Sequence, residues 1–371
     1  MRLRELARVF FLEGLLGFGG PAAHLSMMEE DTVKRRQWLT QEQFLDILSV
    51  SNIIPGPTST EMAIHIGYIY AGFPGMIVAG VSFILPAASI TLGFAWLYTQ
   101  IGRVPSLNHL FAGIEPVVLV IIANAFWRLA KKSITNLHLA LIALTVALLV
   151  LMGVAEIEAL FLGGILAVIL FYRKIKIQQL LVGYILVGKA TKLMLIKPTL
   201  LQLGLYFLKI GTVLFGGGYV LFAFLQGEMV NQNHWLTQQQ LVDAIAVGQF
   251  TPGPILSSAT FIGYLIAGLP GAITSTLAIF LPSFLLVLIS KPLIFRMRQF
   301  KFTGAFLDGI RAASIALVGV VAIRLAENIL TNNWTNVVLS ALAAILIFRY
   351  QVKTSWLIVL GLLAGYCIGQ S

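Results

Sequence analysis

The sequence predicts an all-α polytopic membrane protein made of two homologous, inverted-topology repeats, with helices broken at two Pro-Gly-Pro triplets. Composition is the first observation behind this. The 371 residues are 58% hydrophobic and only 11% charged, where a soluble domain carries about 25% charged residues. The second is an internal repeat at an offset near 197. The third is the recurrence of PGP at 55–57 and 252–254, each time inside an apolar run. Apolar stretches such as 77–96, 139–154 and 277–289 approach or reach the roughly 20 residues a helix needs to cross a bilayer core about 30 Å thick. A soluble enzyme with a large core is excluded, because nothing in the chain would supply its polar surface.

Taken in order, the N-terminus "MRLRELARVFFLEGLLGFGG" has the basic start and apolar stretch of a secretory signal. The pattern returns at 203–219, where Phe207, Gly211, Phe215, Gly216 and Gly217 match Phe10, Gly14, Phe18, Gly19 and Gly20. A cleaved leader has no reason to recur in mid-chain, so the segment reads as a structural helix ending in a glycine turn. Next, "WLTQEQFLDILSVSNIIPGP" (38–57) lies over "WLTQQQLVDAIAVGQFTPGP" (235–254) with ten of twenty positions identical. Gly67, Tyr68, Ala71, Gly72, Pro74 and Gly75 match Gly263, Tyr264, Ala267, Gly268, Pro270 and Gly271, and 113–131 lies over 309–327. The repeats are therefore 1–175 and 200–371. They are joined by a basic linker, 176–199, with room for one extra crossing. Solenoid periods are far shorter than this one.

Basic clusters at 128–133, 172–178 and 295–301 sit between apolar runs, as the positive-inside bias demands. They do not form one patch with interleaved aromatics, so nucleic acid is not an expected partner; the lipid bilayer is. In the first half the 128–135 loop is basic, whereas in the second the basic loops are 291–301 and 349–353. The bias moves by one loop, so the halves are expected to insert in opposite directions, a construction typical of secondary transporters. The side of the 25–43 loop is not fixed by charge, and a homo-oligomer is left open. A single cysteine, Cys367, excludes a disulfide framework, and the five histidines lack metal-ligand spacing. No cofactor or metal is expected. Without a nucleophile–base pair, an intramembrane enzyme is disfavoured, and a non-transporting sensor stays as the reading from another class.

Each proline removes an N–H and pushes its predecessor out of helical geometry. A helix over 42–53 should stop at Pro55, and a new one should start with Pro57 in its first turn. A break at membrane depth is tolerated only where it is buried or lines a polar cavity. Beyond it, Thr58, Ser59 and Thr60 offer N–H groups and hydroxyls at a helix N-terminus, and Ser257 and Ser258 take those places in the second half. Together with Asn52, Pro55, Gly56, Pro57, Gln249, Pro252, Gly253 and Pro254 they make a candidate anion cradle. A packing kink with hydroxyls bonding between helices is the plain alternative.

Ionisable groups inside a membrane are costly and each invites a role. Glu61, just past the first break, would repel an anion unless protonated and so is the candidate proton-coupling group. His65, four residues on, reads as a satisfied core histidine. Glu13 and Lys209 read as snorkelling, Asp46 and Asp243 as capping or loop pairing. Glu115 falls on Arg311 in the repeat alignment; the two could pair, or Arg311 could face the anion.

The set "FGGPAAH" (18–24), "WLTQEQFLDILSVSNIIPGPTSTEMAIHIGY" (38–68), "AGFPG" (71–75) and "FILP" (83–86), with its weaker second copy, resembles the chromate ion transporter family in its long, two-domain form. The resemblance covers nearly the whole chain. It implies secondary active export of chromate, a tetrahedral oxyanion, across the inner (plasma) membrane, coupled to a proton or other ion gradient. Sulfate or another oxyanion is the alternative substrate. The glycine-turn motifs then add Gly19, Gly20, His24, Gly216 and Gly217 to the candidate substrate-binding residues. "FGGGYV" replaces "FGGPAAH" in the second half, which also lacks counterparts of His24 and Glu61, so the halves are expected to differ in role.

Overall fold

The computed structural model describes residues 2–101, 113–171, 198–297, 301–331 and 334–368. The linker, with its expected extra crossing, lies largely outside the described residues, as do the side chains of the basic run at 291–301. Among those described there is no strand, and fourteen helices form two series of seven in the same order. The first series is α1 (Arg2–Leu16), α2 (Pro21–Glu29, continued by a π-helical stretch Glu30–Arg35), α3 (Gln41–Ser51), α4 (Thr58–Ile101), α5 (Ile114–Ser133), α6 (Leu137–Leu151) and α7 (Glu156–Phe171). The second is α8 (Leu200–Val213), α9 (Val220–Phe224, continued as π-helix Leu225–Gln232), α10 (Gln238–Phe250), α11 (Ser258–Met297), α12 (Lys301–Leu330), α13 (Trp334–Phe348) and α14 (Thr354–Ile368). Three of the described helical segments, Thr58–Gln100, Ile255–Ile289 and Gly304–Leu330, are long and apolar enough to cross a membrane.

Local chemistry explains the boundaries. The shared "WLTQ" motif starts α3 and α10 with capping boxes: Thr40 and Thr237 accept from the Gln43 and Gln240 N–H groups, and those glutamine side chains reach back. Both Pro-Gly-Pro triplets lie between helices. Pro57 stands just before α4 rather than in its first turn, and a short 3-10 turn, Ile255–Ser257, precedes α11. The expected 128–135 loop is shorter than the sequence suggested. α5 runs on to Ser133, so Lys131 and Lys132 occupy its last turn, where cations meet the negative end of the helix dipole.

The sequence reading did not anticipate a second break. Ala71 and Gly72 leave helical geometry (φ/ψ −140/22 and 64/−154), and Ala267 and Gly268 repeat the same turn (−140/26 and 61/−152). A continuous helix would hold Ile64 and Gly80 about 24 Å apart at 1.5 Å per residue. Instead a Cβ at Gly80 would touch Ile64, and one at Gly67 would meet Ala79 and the Gly75 carbonyl. α4 therefore folds back on itself, a short limb (58–70) lying along a long limb (73–101). α11 does the same, its limbs joined by a Thr260–Thr276 hydrogen bond of 2.7 Å. The positive φ at Gly72 and Gly268 is what this turn requires of its glycine.

α1 and α2 form a second hairpin in the first half. α1 runs in to the Gly17–Gly20 turn and the chain returns, so that Arg36 reaches Glu5 at 3.6 Å. Beside them Trp38 stacks on Tyr70 with centroids 4.3 Å apart. The opposite ends of these hairpins, the glycine turn and the Pro-Gly-Pro break, meet the same features of the other half. Gly56 N–H donates to the Leu214 carbonyl (2.8 Å) and Gly253 N–H donates to the Gly17 carbonyl (3.0 Å). Each residue in one bond is the repeat equivalent of its counterpart in the other. Further out the packing is also exchanged: α5 lies against α13 and α14, while α12 lies against α6 and α7. Small residues allow the approach, with Gly113 on Gly361 and Gly365, and Gly309 on Gly163, Gly164 and Ala167.

Candidate functional site

Beside the meeting tips a cavity of about 520 Å³ opens, within the range of small-ligand sites. Its inner wall is backbone: Gly17, Phe18, Gly19, Gly20 and Pro21 from the first glycine turn, and Thr251, Gly253 and Ile255 from the second break. Gly19 and Gly20 hold positive φ (113° and 75°). That conformation turns the chain sharply into α2, whose first residue is Pro21. The N–H groups of Gly19, Gly20 and Ala22 have no backbone acceptor among the described residues. Two helix starts thus face one space, each carrying about half a positive charge.

The outer wall supplies full charges. Arg128, near the end of α5, and Lys353, just before α14, both line the cavity, with Asn124, Gln249, Tyr219, Thr354 and Ser355. Tyr219 donates to Gln249 Oε1 (3.3 Å) and lies beside the Arg128 side chain. No lining residue is acidic, and neither cation has an ion pair among the described residues. About three positive charge equivalents converge, enough to hold a dianion with donors suited to its oxygens.

The corresponding arginine in the other half is paired. Arg324, the equivalent of Arg128, lies 3.7 Å from Glu156 and donates to the Val150 carbonyl at 3.1 Å. Matching the Gly163 and Gly361 contacts sets α7 over α14 with Thr354 at the position of Glu156. One exchange, a carboxylate for a hydroxyl, therefore separates a neutralised arginine from one facing a cavity.

Of the residues singled out in the sequence, Gly19, Gly20, Gln249 and Gly253 line this cavity. Pro55, Gly56, Pro57, Pro252 and Pro254 form the breaks, while Thr58, Ser59 and Thr60 open α4. His24 is buried: Nε2 donates to the Gly17 carbonyl (2.8 Å), and Nδ1 pairs with Ser59 Oγ at 3.0 Å. It pins the glycine turn to α4. Ser257 accepts from Thr91, and Ser258 donates to the Ile255 carbonyl. Gly216 packs on Ser314, and Gly217 has open space at its Cβ. Arg311 is engaged elsewhere. Its guanidinium donates to the Asn52 carbonyl at the end of α3 (2.5 Å) and to Asp308 (3.4 Å), and it does not line the cavity. Thr60 and Glu61 are fully buried with no hydrogen-bond partner at their side-chain oxygens. Arg128 and Lys353 were passed over. The alignment of Arg128 with Arg324 was visible, but an arginine near a helix end reads as snorkelling.

A family model described as a chromate transporter matches residues 4–172 and again 201–366. The chain is 33% identical over 373 residues to a chromate transport protein of Cupriavidus metallidurans, covering 97% of this chain and 91% of that relative. It is 30% identical over 385 residues to a chromate transport protein of Pseudomonas aeruginosa, covering 100% of this chain and 92% of the relative. The uncharacterized transporter YwrA of Bacillus subtilis is 30% identical over 129 residues, which is 35% of this chain and 72% of that relative. No solved structure matches significantly.

Proposed function

The chain belongs to the chromate transporter family, and on that premise we propose that it exports chromate across the cytoplasmic membrane as a secondary transporter driven by a proton or other ion gradient. The observation that carries the substrate class is the cavity in which Arg128, Lys353 and two helix starts converge without a carboxylate. Chromate enters it as a dianion, takes N–H donors from Gly19 and Gly20, and is clamped by Arg128, which Tyr219 and Gln249 hold in place. The breaks at 55–57 and 252–254 supply the movable tips. Glu61 carries the coupling proton. Arg311 steadies the end of α3 through the Asn52 carbonyl rather than touching the anion.

The same reading takes 1–175 and 200–371 as repeats inserted in opposite directions. Its support is the direction of contacts along α4. Ala87, Thr91 and Tyr98 meet Gly253, Ser257 and Phe261 in rising order, so the long limb of α4 runs parallel to the short limb of α11. Within α4 the two limbs are antiparallel. The short limbs of the two halves therefore point to opposite ends.

The test is flux of labelled chromate in liposomes holding the purified protein, with an imposed pH gradient and competing sulfate. Chromate should accumulate against its gradient, and a protonophore should abolish the accumulation. Sulfate flux without chromate flux would assign another oxyanion as substrate. Absence of flux for either would overturn the reading.

A further inference from the structure

Behind the first Pro-Gly-Pro tip lies a second polar site, sealed off and outside the cavity lining. Glu61 and Ser283 are both fully buried, and Glu61 Oε1, Glu61 Oε2 and Ser283 Oγ have no hydrogen-bond partner. Both side chains border Gly56: a Cβ there would run into Glu61 Oε1 and lie 2.8 Å from Ser283 Oγ. They come from different halves of the chain. At the repeat-equivalent Gly253 the neighbours are instead the Ala87 methyl and the Gly14 backbone. Ala87 stands where Ser283 does, and Ser258 stands where Glu61 does. The carboxyl–hydroxyl pair is thus present behind one tip and missing behind the other.

A bare carboxylate is strongly disfavoured in such a place. The titratable groups packed around it do not neutralise it. His65, one turn on, lies with Nδ1 on the Glu61 backbone carbonyl (3.0 Å), and His24 of α2 is held by Gly17 and Ser59. Glu13 of α1 is itself buried without a partner, and Asp46 of α3 is exposed. Asp243 of α10 accepts from Tyr98 and Gln239, and Arg311 of α12 is taken by Asn52 and Asp308. Two oxygen-bearing side chains are too few to strip and hold a metal cation, but they suit a proton.

We infer that Glu61 and Ser283 form a proton-binding site shared between the halves, deepening the reading of the chain as an ion-coupled anion transporter. With its proton bound, the carboxyl turns its O–H to Ser283, a bond not made in the structure itself, while Gly56 N–H holds the tip on the Leu214 carbonyl. Losing the proton to water requires water at the carboxyl, and so requires the tip to part from α11. Protonation of one half is thereby tied to its contact with the other.

The test is infrared difference spectroscopy of the purified, substrate-free chain across pH, paired with pH profiles of chromate uptake. A protonated-carboxyl band should be present in the wild type and missing in E61Q. In S283A that band should shift to higher frequency as its hydrogen bond is lost. Ser283 donates more strongly to the ionised carboxylate than it accepts from the neutral acid. Its removal should therefore raise proton affinity and move the alkaline limb of the uptake profile up by about one pH unit. S283A removes a single atom and keeps the test open should E61Q fail to insert. Three results would each overturn the inference: no band sensitive to E61Q, a wild-type spectrum and profile in S283A, or loss of the band on adding sodium at fixed pH. Because the spectra need no substrate, absence of chromate flux would overturn the transport reading alone.

Discussion

Arg128 and Arg311 both stand near the breaks, yet their surroundings give them different work. Arg311 is taken by a carbonyl and a carboxylate, whereas Arg128 has no ion pair among the described residues and lines the cavity. A hydrogen bond to a charged group is worth about 1.5–3 kcal/mol, so Arg128→Ala should raise the KM for chromate about 10- to 100-fold. Arg128→Lys should recover part of that, keeping the charge but losing the fork of donors. Arg311→Ala should instead leave the Asn52 carbonyl short of a donor and lower thermal stability by about 1–3 kcal/mol, with KM little changed. Measuring KM and melting temperature for the three variants decides the assignment; a large KM effect confined to Arg311→Ala would reverse it.

At the scale of elements, the breaks are set by residues that cannot do otherwise. Replacing both Pro55 and Pro57 with alanine restores two N–H donors and removes the restriction on Ile54 and Gly56. α3 and α4 should then gain helix across the break, drawing Gly56 away from Leu214. Chromate flux should fall at least tenfold while the protein stays folded in the membrane; unchanged flux in the double variant would leave the triplet a packing feature. These breaks were legible because proline acts locally and the repeat showed each one twice. The fold-back at Ala71–Gly72 was not, although "AGFPG" has a near-copy, "AGLPG", at 267–271. No polar loop marks it, and Pro74 sits at the start of the long limb, where proline is tolerated. Hydropathy therefore reads straight through a turn that only the glycine's positive φ betrays. The cavity's cations were hidden for a related reason: Lys353 and Arg128 lie far apart in sequence, and only the exchanged packing of α5 against α14 brings them together.

At the scale of the whole molecule, the reciprocal bonds at Gly56 and Gly253 relate the two halves, and the contacts along α4 bear on how the halves are inserted. With both halves inserted the same way, the short limb of α11 would run antiparallel to the long limb of α4. The pairs Ala87–Gly253, Thr91–Ser257 and Tyr98–Phe261 run the other way. Charge agrees: α5 ends in Lys131 and Lys132, whereas the end of α12 carries Glu327 and no lysine. On the opposed insertion proposed above, the positive-inside bias would put the end of α5 in the cytoplasm and leave the end of α12 facing outward. With the single native cysteine removed as Cys367→Ser, Asn136→Cys and Thr331→Cys should react with an impermeant thiol reagent from opposite sides of the membrane. In intact cells only Thr331→Cys should label, and in inverted vesicles only Asn136→Cys. Labelling of both from one side would remove opposed insertion. The axis relating the halves would then run along the membrane normal, and both Pro-Gly-Pro tips would have to be reached from the same face.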